Sequence, residues 1–119
     1  MRTQQWGRIV NVSSIAATDG MVGFAWYAAS KTALHGLART LAAELGDSDI
    51  LINNVMPGAT MTSTVFDHLP STLLARKARE LPIRRLPRPE EVAATIVFLA
   101  SAMNTTVTGE DVRASGGRP

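Results

Sequence analysis

The chain has 119 residues, enough for one domain at most, with 45% apolar and 18% charged residues. That balance suits a packed globular core and excludes a disordered, highly charged chain. There is no cysteine, which removes disulfides and thiolate metal sites, and the net charge is only +2.

Met1 to Gln5 reads as the last turn of a helix. In the segment Arg8 to Ser13, Ile9, Val10 and Val12 are β-branched, which predicts a buried strand ending at Ser13 or Ser14. Ile15 to Phe24 reads as a loop with glycines at 20 and 23, either running close to a bound molecule or simply turning at the surface. A helix follows from Ala25 to Leu45, with Leu34, Leu37, Ala38, Leu41 and Leu45 as its core stripe. Ala28, Ala29, Ala33, Gly36 and Ala43 form a second, small-residue set. Gly46 and Asp47 end the helix.

Tyr27 and Lys31 lie one turn apart and share a face of that helix. A free tyrosine ionises near pH ~10, and an ammonium one turn away favours the phenolate. Such a phenol can pass a proton to or from a carbonyl oxygen or an alcohol, and Ser14 at the strand end can hold that same oxygen. The same residues also read as an ordinary helix pair and a loop serine.

Ile50 to Met56 is a second strand, apolar apart from Asn53 and Asn54, as a parallel strand buried on both faces would be. Pro57 and Gly58 turn the chain at its carboxyl end, where open parallel sheets bind ligands. Thr62 to Leu81, interrupted by Pro70, reads as short helices. Met61, Val65, Phe66, Leu69, Leu73 and Leu74 form either an apolar lid or a surface packed on the body. Pro89, Glu90 and Glu91 suit a helix start, and Val92, Ile96, Leu99 and Met103 give its buried stripe. Glu110 to Ala114 is the last strand.

The basic residues Arg76, Lys77, Arg79, Arg84, Arg85 and Arg88 cluster, but Glu80 sits among them and no aromatic is interleaved. They read as a solvated face rather than a nucleic-acid interface. The longest apolar run, Val92 to Met103, is too short to span a bilayer, and residues 1–6 carry no signal-peptide core. A cytoplasmic protein with no membrane partner is expected. His35 and His68 show no ligand spacing, so no metal is expected.

Taken in order, Ile9-Val10-Asn11-Val12-Ser13-Ser14, Tyr27-Ala-Ala-Ser-Lys31 thirteen residues after Ser14, and Ile52-Asn-Asn-Val-Met-Pro57-Gly58 make one series. Pro89-Glu-Glu-Val-Ala93, Phe98 to Ser101, Thr108-Gly109 and Gly116-Gly117 continue it. The series resembles the short-chain dehydrogenase/reductase family over nearly the whole chain. The resemblance implies an α/β fold, namely the C-terminal half of a Rossmann-like, doubly wound parallel sheet with about three strands and flanking helices. It implies an NAD- or NADP-dependent oxidoreductase interconverting a ketone and a secondary alcohol. In that reading Ser14 orients the substrate, Tyr27 is the general acid/base, and Lys31 tunes Tyr27 and bonds the nicotinamide ribose. Tyr27, Lys31, Pro57, Gly58, Thr60 and Thr62 then hold the nicotinamide end of the cofactor. The helix 25–45 and the last strand imply a homo-oligomer; the alternative is packing within the chain.

Several family features are missing. No glycine-rich turn joins a strand to a helix in the way that cradles a pyrophosphate. The residue that chooses NAD over NADP and the catalytic asparagine are also absent. Residues 1–119 therefore match a partial dinucleotide-binding domain without its N-terminal, cofactor-binding half, and Met1 matches an internal position, as in a truncated or mis-started reading frame. No measurable cofactor binding is expected from such a chain alone. A catalytically silent fragment or an oligomerisation module is the alternative reading, and a half-enzyme completed by another chain is a third. Asp111, where the family usually has an apolar residue, and Ala114-Ser115, where it has Val-Asp, are expected to loosen the last strand or its interface.

Overall fold

In a computed structural model the described residues are 1–118, with the side chain of Phe66 outside the description. A 3-10 turn at Arg2–Gln4 leads into strand β1 at Gly7–Val12. A short helix α1 at Ala16–Asp19 and the long helix α2 at Ala25–Leu45 follow. Strand β2 at Ile50–Pro57, helices α3 at Ser63–His68, α4 at Ser71–Glu80 and α5 at Pro89–Ala100, and strand β3 at Asp111–Ala114 complete the order.

The three strands form one parallel sheet in the order β1-β2-β3. Val12 pairs with Val55, and Pro57 with Ala114, so the carboxyl ends of the strands lie together. Helices cover the central strand on both faces, α2 on one and α5 on the other, so that β2 is buried along nearly its whole length. Val55, Val92 and Leu99 form the core on the α5 face, with Val10, Ile96 and Val112 packed around them. This is the α/β, Rossmann-like architecture with three strands that the sequence resemblance implied.

The two asparagines inside β2 are fully buried and fully bonded. Asn53 donates to the Val107 carbonyl at 2.8 Å and accepts from the Glu110 amide at 3.1 Å. Asn54 donates to Asp111 Oδ1 at 2.6 Å and accepts from Asn11 at 3.0 Å, tying the three strands together through side chains. Each buried amide thus replaces the water it gave up on folding.

Four expectations change. The segment 15–24 is not all loop: α1 forms within it and stops at Gly20, whose φ of 73° cannot continue a helix. Leu37 lies outside the core of α2, where His35, Ala38 and Leu45 are buried instead, because Leu37 falls on the face turned away from the sheet. Met103 is 77% exposed, since α5 ends at Ala100 and the stripe loses its helical spacing beyond it. Asp111 does not loosen β3; it anchors the strand by accepting from Arg39 at 2.9 Å and from Asn54. Ser115 is buried, and its hydroxyl donates to the Gly117 carbonyl at 3.0 Å. The start of α5 is as read from the sequence, with the Arg88 amide donating to the Glu91 carboxylate at 2.8 Å.

Candidate active site

The segment after β1 turns sharply because the Ile15 amide donates to the Pro57 carbonyl and the Ala16 amide to the Ser14 hydroxyl. This places Ser14, buried at the strand end, beside the loop that leaves β2. Tyr27 approaches from the first turn of α2. Ser14, Tyr27, Gly58 and Ala59 line one cleft of about 510 Å3 at the carboxyl ends of the strands, a volume within the usual range for a small-molecule site. Its walls are largely apolar, with Ile15, Met21, Phe24, Val65, Leu69, Leu81 and Leu86. Of the residues read as a lid or a packed surface, Val65 and Leu69 line this cleft. Leu73 and Leu74 lie off the cleft, with Leu74 buried.

Lys31 does not line the cleft. Its ammonium donates to the Val12 carbonyl at 2.8 Å and stands 5.8 Å from the centre of the Tyr27 ring. Of the residues read as cofactor-binding, Tyr27 and Gly58 border the cleft, whereas Pro57, Thr60 and Thr62 lie on the adjoining stretch without lining it. Gly58 is required there by contact: a Cβ at that position would meet Cβ of Ser115 at 2.9 Å. Thr60 donates to the Gly58 carbonyl and so keeps acceptor lone pairs free. Thr62 caps α3 by accepting from the Val65 amide and so keeps its own proton to donate.

Four charged residues, Asp19, Lys77, Glu80 and Arg113, also border the cleft, and none was selected from the sequence as a site residue. Arg113, on β3, donates to both carboxylate oxygens of Asp19 at 2.8 and 2.7 Å, and to Thr18 at 2.9 Å. These bonds hold the Asp19 carboxyl down from 3.8 to about 2, against the opposing effect of burial. No local pattern marks such a pair, because its members sit at opposite ends of the chain. Among the described residues no cluster of His, Asp and Glu could hold a metal ion, and no helix is long and apolar enough to cross a membrane.

A family model described as enoyl-(acyl carrier protein) reductase matches residues 1–118. The short-chain reductase protein NovJ of Streptomyces niveus is 42% identical over all of this chain and 47% of its own length. The 3-oxoacyl-[acyl-carrier-protein] reductase FabG of Aquifex aeolicus is 36% identical over 98% of this chain and 47% of its own. Among solved structures, a 7α-hydroxysteroid dehydrogenase complexed with NADH and 7-oxo glycochenodeoxycholic acid superposes with a TM-score of 0.91 at 32% identity, covering 98% of this chain and 46% of that one. A 3-oxoacyl-(acyl-carrier-protein) reductase from Agrobacterium tumefaciens with NADP bound gives 0.90 at 30% identity, covering 99% and 47%. The chain thus spans just under half the length of the curated relatives it matches. Its sheet order, the spacing of its serine, tyrosine and lysine, and these matches along its whole length agree, and the chain belongs to the short-chain dehydrogenase/reductase family.

Proposed function

We propose that this chain carries the catalytic half of an NAD- or NADP-dependent oxidoreductase that interconverts a ketone and a secondary alcohol. The observation that carries the reading is the meeting of Ser14 and Tyr27 in one cleft at the carboxyl ends of parallel strands. They arrive from separate elements, a strand end and a helix start, and share a cleft whose walls are largely apolar.

In this mechanism Ser14 donates a hydrogen bond to the substrate oxygen and fixes its direction. Tyr27 gives its phenolic proton to that oxygen during reduction, or takes it back during oxidation. Lys31, held beside the ring by Val12, supplies positive charge 5.8 Å from the centre of the Tyr27 ring. The nicotinamide cofactor, when bound, supplies or accepts the hydride. The chain's own residues suit its carboxamide end, since a carboxamide has both donors and an acceptor. Thr60 offers lone pairs and Thr62 a proton, as their existing bonds leave them. The chemistry of this donor set fits the group without selecting NAD over NADP.

The substrate is a small molecule with an apolar body, given the Ile15, Met21, Phe24, Leu69, Leu81 and Leu86 walls. A protein of this type works in the cytoplasm and forms homo-oligomers. The exposed stripe Trp26, Ala29, Ala33, Gly36 and Leu37 along α2 supports a second copy packing there. The reading is tested by NADH- and NADPH-dependent reduction of a panel of apolar ketones, using a version that carries the dinucleotide-binding turn. Turnover that vanishes in Ser14→Ala and Tyr27→Phe supports it; turnover retained in both overturns it. A catalytically silent module is the second reading, favoured by one observation: among the described residues no glycine-rich turn joins a strand to a helix as a pyrophosphate cradle would.

A further inference from the structure

The buried polar groups that this chemistry leaves unused converge on Lys31. Ser13 precedes Ser14 but does not border the cleft, and it is 3% exposed. Its hydroxyl lies 2.8 Å from Nε2 of His35 and 3.2 Å from the main-chain carbonyl of Lys31. His35 is 4% exposed, with Nδ1 3.1 Å from Oδ2 of Asp111. Asp111 is itself held by Arg39 and Asn54. A serine, a histidine and a carboxylate in a row is the pattern of an activated nucleophile. Here the serine is sealed against α2 with no cleft in front of it, so the row has nothing to attack.

Donor and acceptor accounting gives it another use. A carbonyl and a carboxylate only accept. The bond to Lys31 therefore uses the one proton of Ser13, and the bond to Asp111 uses a proton on Nδ1 of His35. The Ser13 hydroxyl therefore sits between the His35 ring and the Lys31 carbonyl, and the ring is bonded in turn to Asp111. When all three contacts are made, two consecutive residues grip Lys31 at both ends: Val12 takes its ammonium, and Ser13 binds its carbonyl. A lysine side chain is otherwise flexible along its whole stem.

We propose that Ser13, His35 and Asp111 are positioning residues, a buried relay that fixes the Lys31 turn of α2 against the end of β1 and so sets where the ammonium stands relative to Tyr27 and Ser14. The relay's relevance to catalysis rests on the role given to Lys31 above, but its existence does not, so the test reads the amine directly.

Lys31 and Lys77 are the two lysines of the sequence, which provides a signal and an internal control in one sample. Acetylation rates of the two amines are followed by peptide mass spectrometry. Ser13→Ala and Asp111→Asn are each expected to speed modification of Lys31 about fivefold, the factor one net hydrogen bond is worth, and to leave Lys77 unchanged. Ser13→Thr keeps the hydroxyl and is expected to restore the original rate. If Ser13→Ala does not fold, selective acceleration of Lys31 in Asp111→Asn supports the relay equally. Both lysines accelerating together in Asp111→Asn would mean that these groups hold the fold in general, and the proposal fails. An unchanged Lys31 rate in Asp111→Asn overturns it as well. Rates that behave as expected beside unimpaired turnover in Lys31→Met would keep the relay and remove the catalytic role of Lys31.

Discussion

Arg113 and Asp19 stand 94 positions apart in the chain and share two hydrogen bonds of 2.8 and 2.7 Å. Asp19 ends the short helix that begins two residues after Ser14, so the pair ties the last strand to the turn carrying the proposed substrate-orienting hydroxyl. Bidentate guanidinium–carboxylate geometry makes this the kind of surface pair that contributes measurably.

The pair makes stability depend on acid. The Asp19 carboxyl is held at about 2 in the fold against 3.8 when free, so below about pH 4 the unfolded chain binds the proton first. Its contribution is full above that range and is lost as pH falls through the folded value. Asp19→Asn is expected to flatten the loss of stability between roughly pH 4 and 2. Urea denaturation of both forms across that range checks it; identical acid limbs would refute it. Glu91, held at about 2 chiefly by Arg85 and then by the Arg88 amide, titrates in the same window and is retained in both forms as a common background.

Gly58 is set by its neighbour across the sheet. A methyl group there meets Cβ of Ser115 at 2.9 Å, and neither atom sits at the end of a flexible chain. Gly58→Ala is expected to cost about 1–3 kcal/mol, as overpacking does. Adding Ser115→Gly removes the clash and should recover part of the loss. Thermal unfolding of the single and double variants measures both, and equal destabilisation in the two would show that the contact is not the cause.

Asn54 links three strands from a position with no exposure. Asn54→Ala strands the amide of Asn11 and removes a donor from Asp111. The expected loss is about 1–3 kcal/mol, chiefly for the half-buried Asn11 amide left without its partner, since Asp111 keeps Arg39. Chemical unfolding checks this, with Val55→Ala on the opposite face as the comparison for volume lost.

Tyr27→Phe keeps the ring and removes the proton. In a version that carries the dinucleotide-binding turn, turnover is expected to fall by about 10²- to 10⁴-fold, the usual contribution of a positioned acid/base. Cofactor affinity is expected to stay nearly unchanged. Steady-state kinetics with equilibrium titration of the cofactor separates the two effects, and a large affinity loss with normal turnover would contradict the assigned role.

Local pattern determined the main elements of this protein, α1 excepted, and the chemical types at its site. β-branched residues in Ile9 to Val12, helical spacing from Ala25 to Leu45 and the Pro-Gly turn at 57–58 each follow from short-range sterics and hydrophobic period, so they were legible residue by residue. The thirteen-residue interval from Ser14 to Tyr27 was legible only through the resemblance to the short-chain dehydrogenase/reductase family, not from local pattern. Tertiary structure alone decided which polar groups are partners. Asp111 looked like an intruder in an apolar strand, and His35 like an idle residue on a helix. Each is satisfied by a group from another element, through Arg39, Asn54 and Ser13. Hydrogen bonds between segments dozens of residues apart leave no periodicity in the sequence, because their geometry is set by how α2 and β3 settle on the sheet and not by the chain on either side of them.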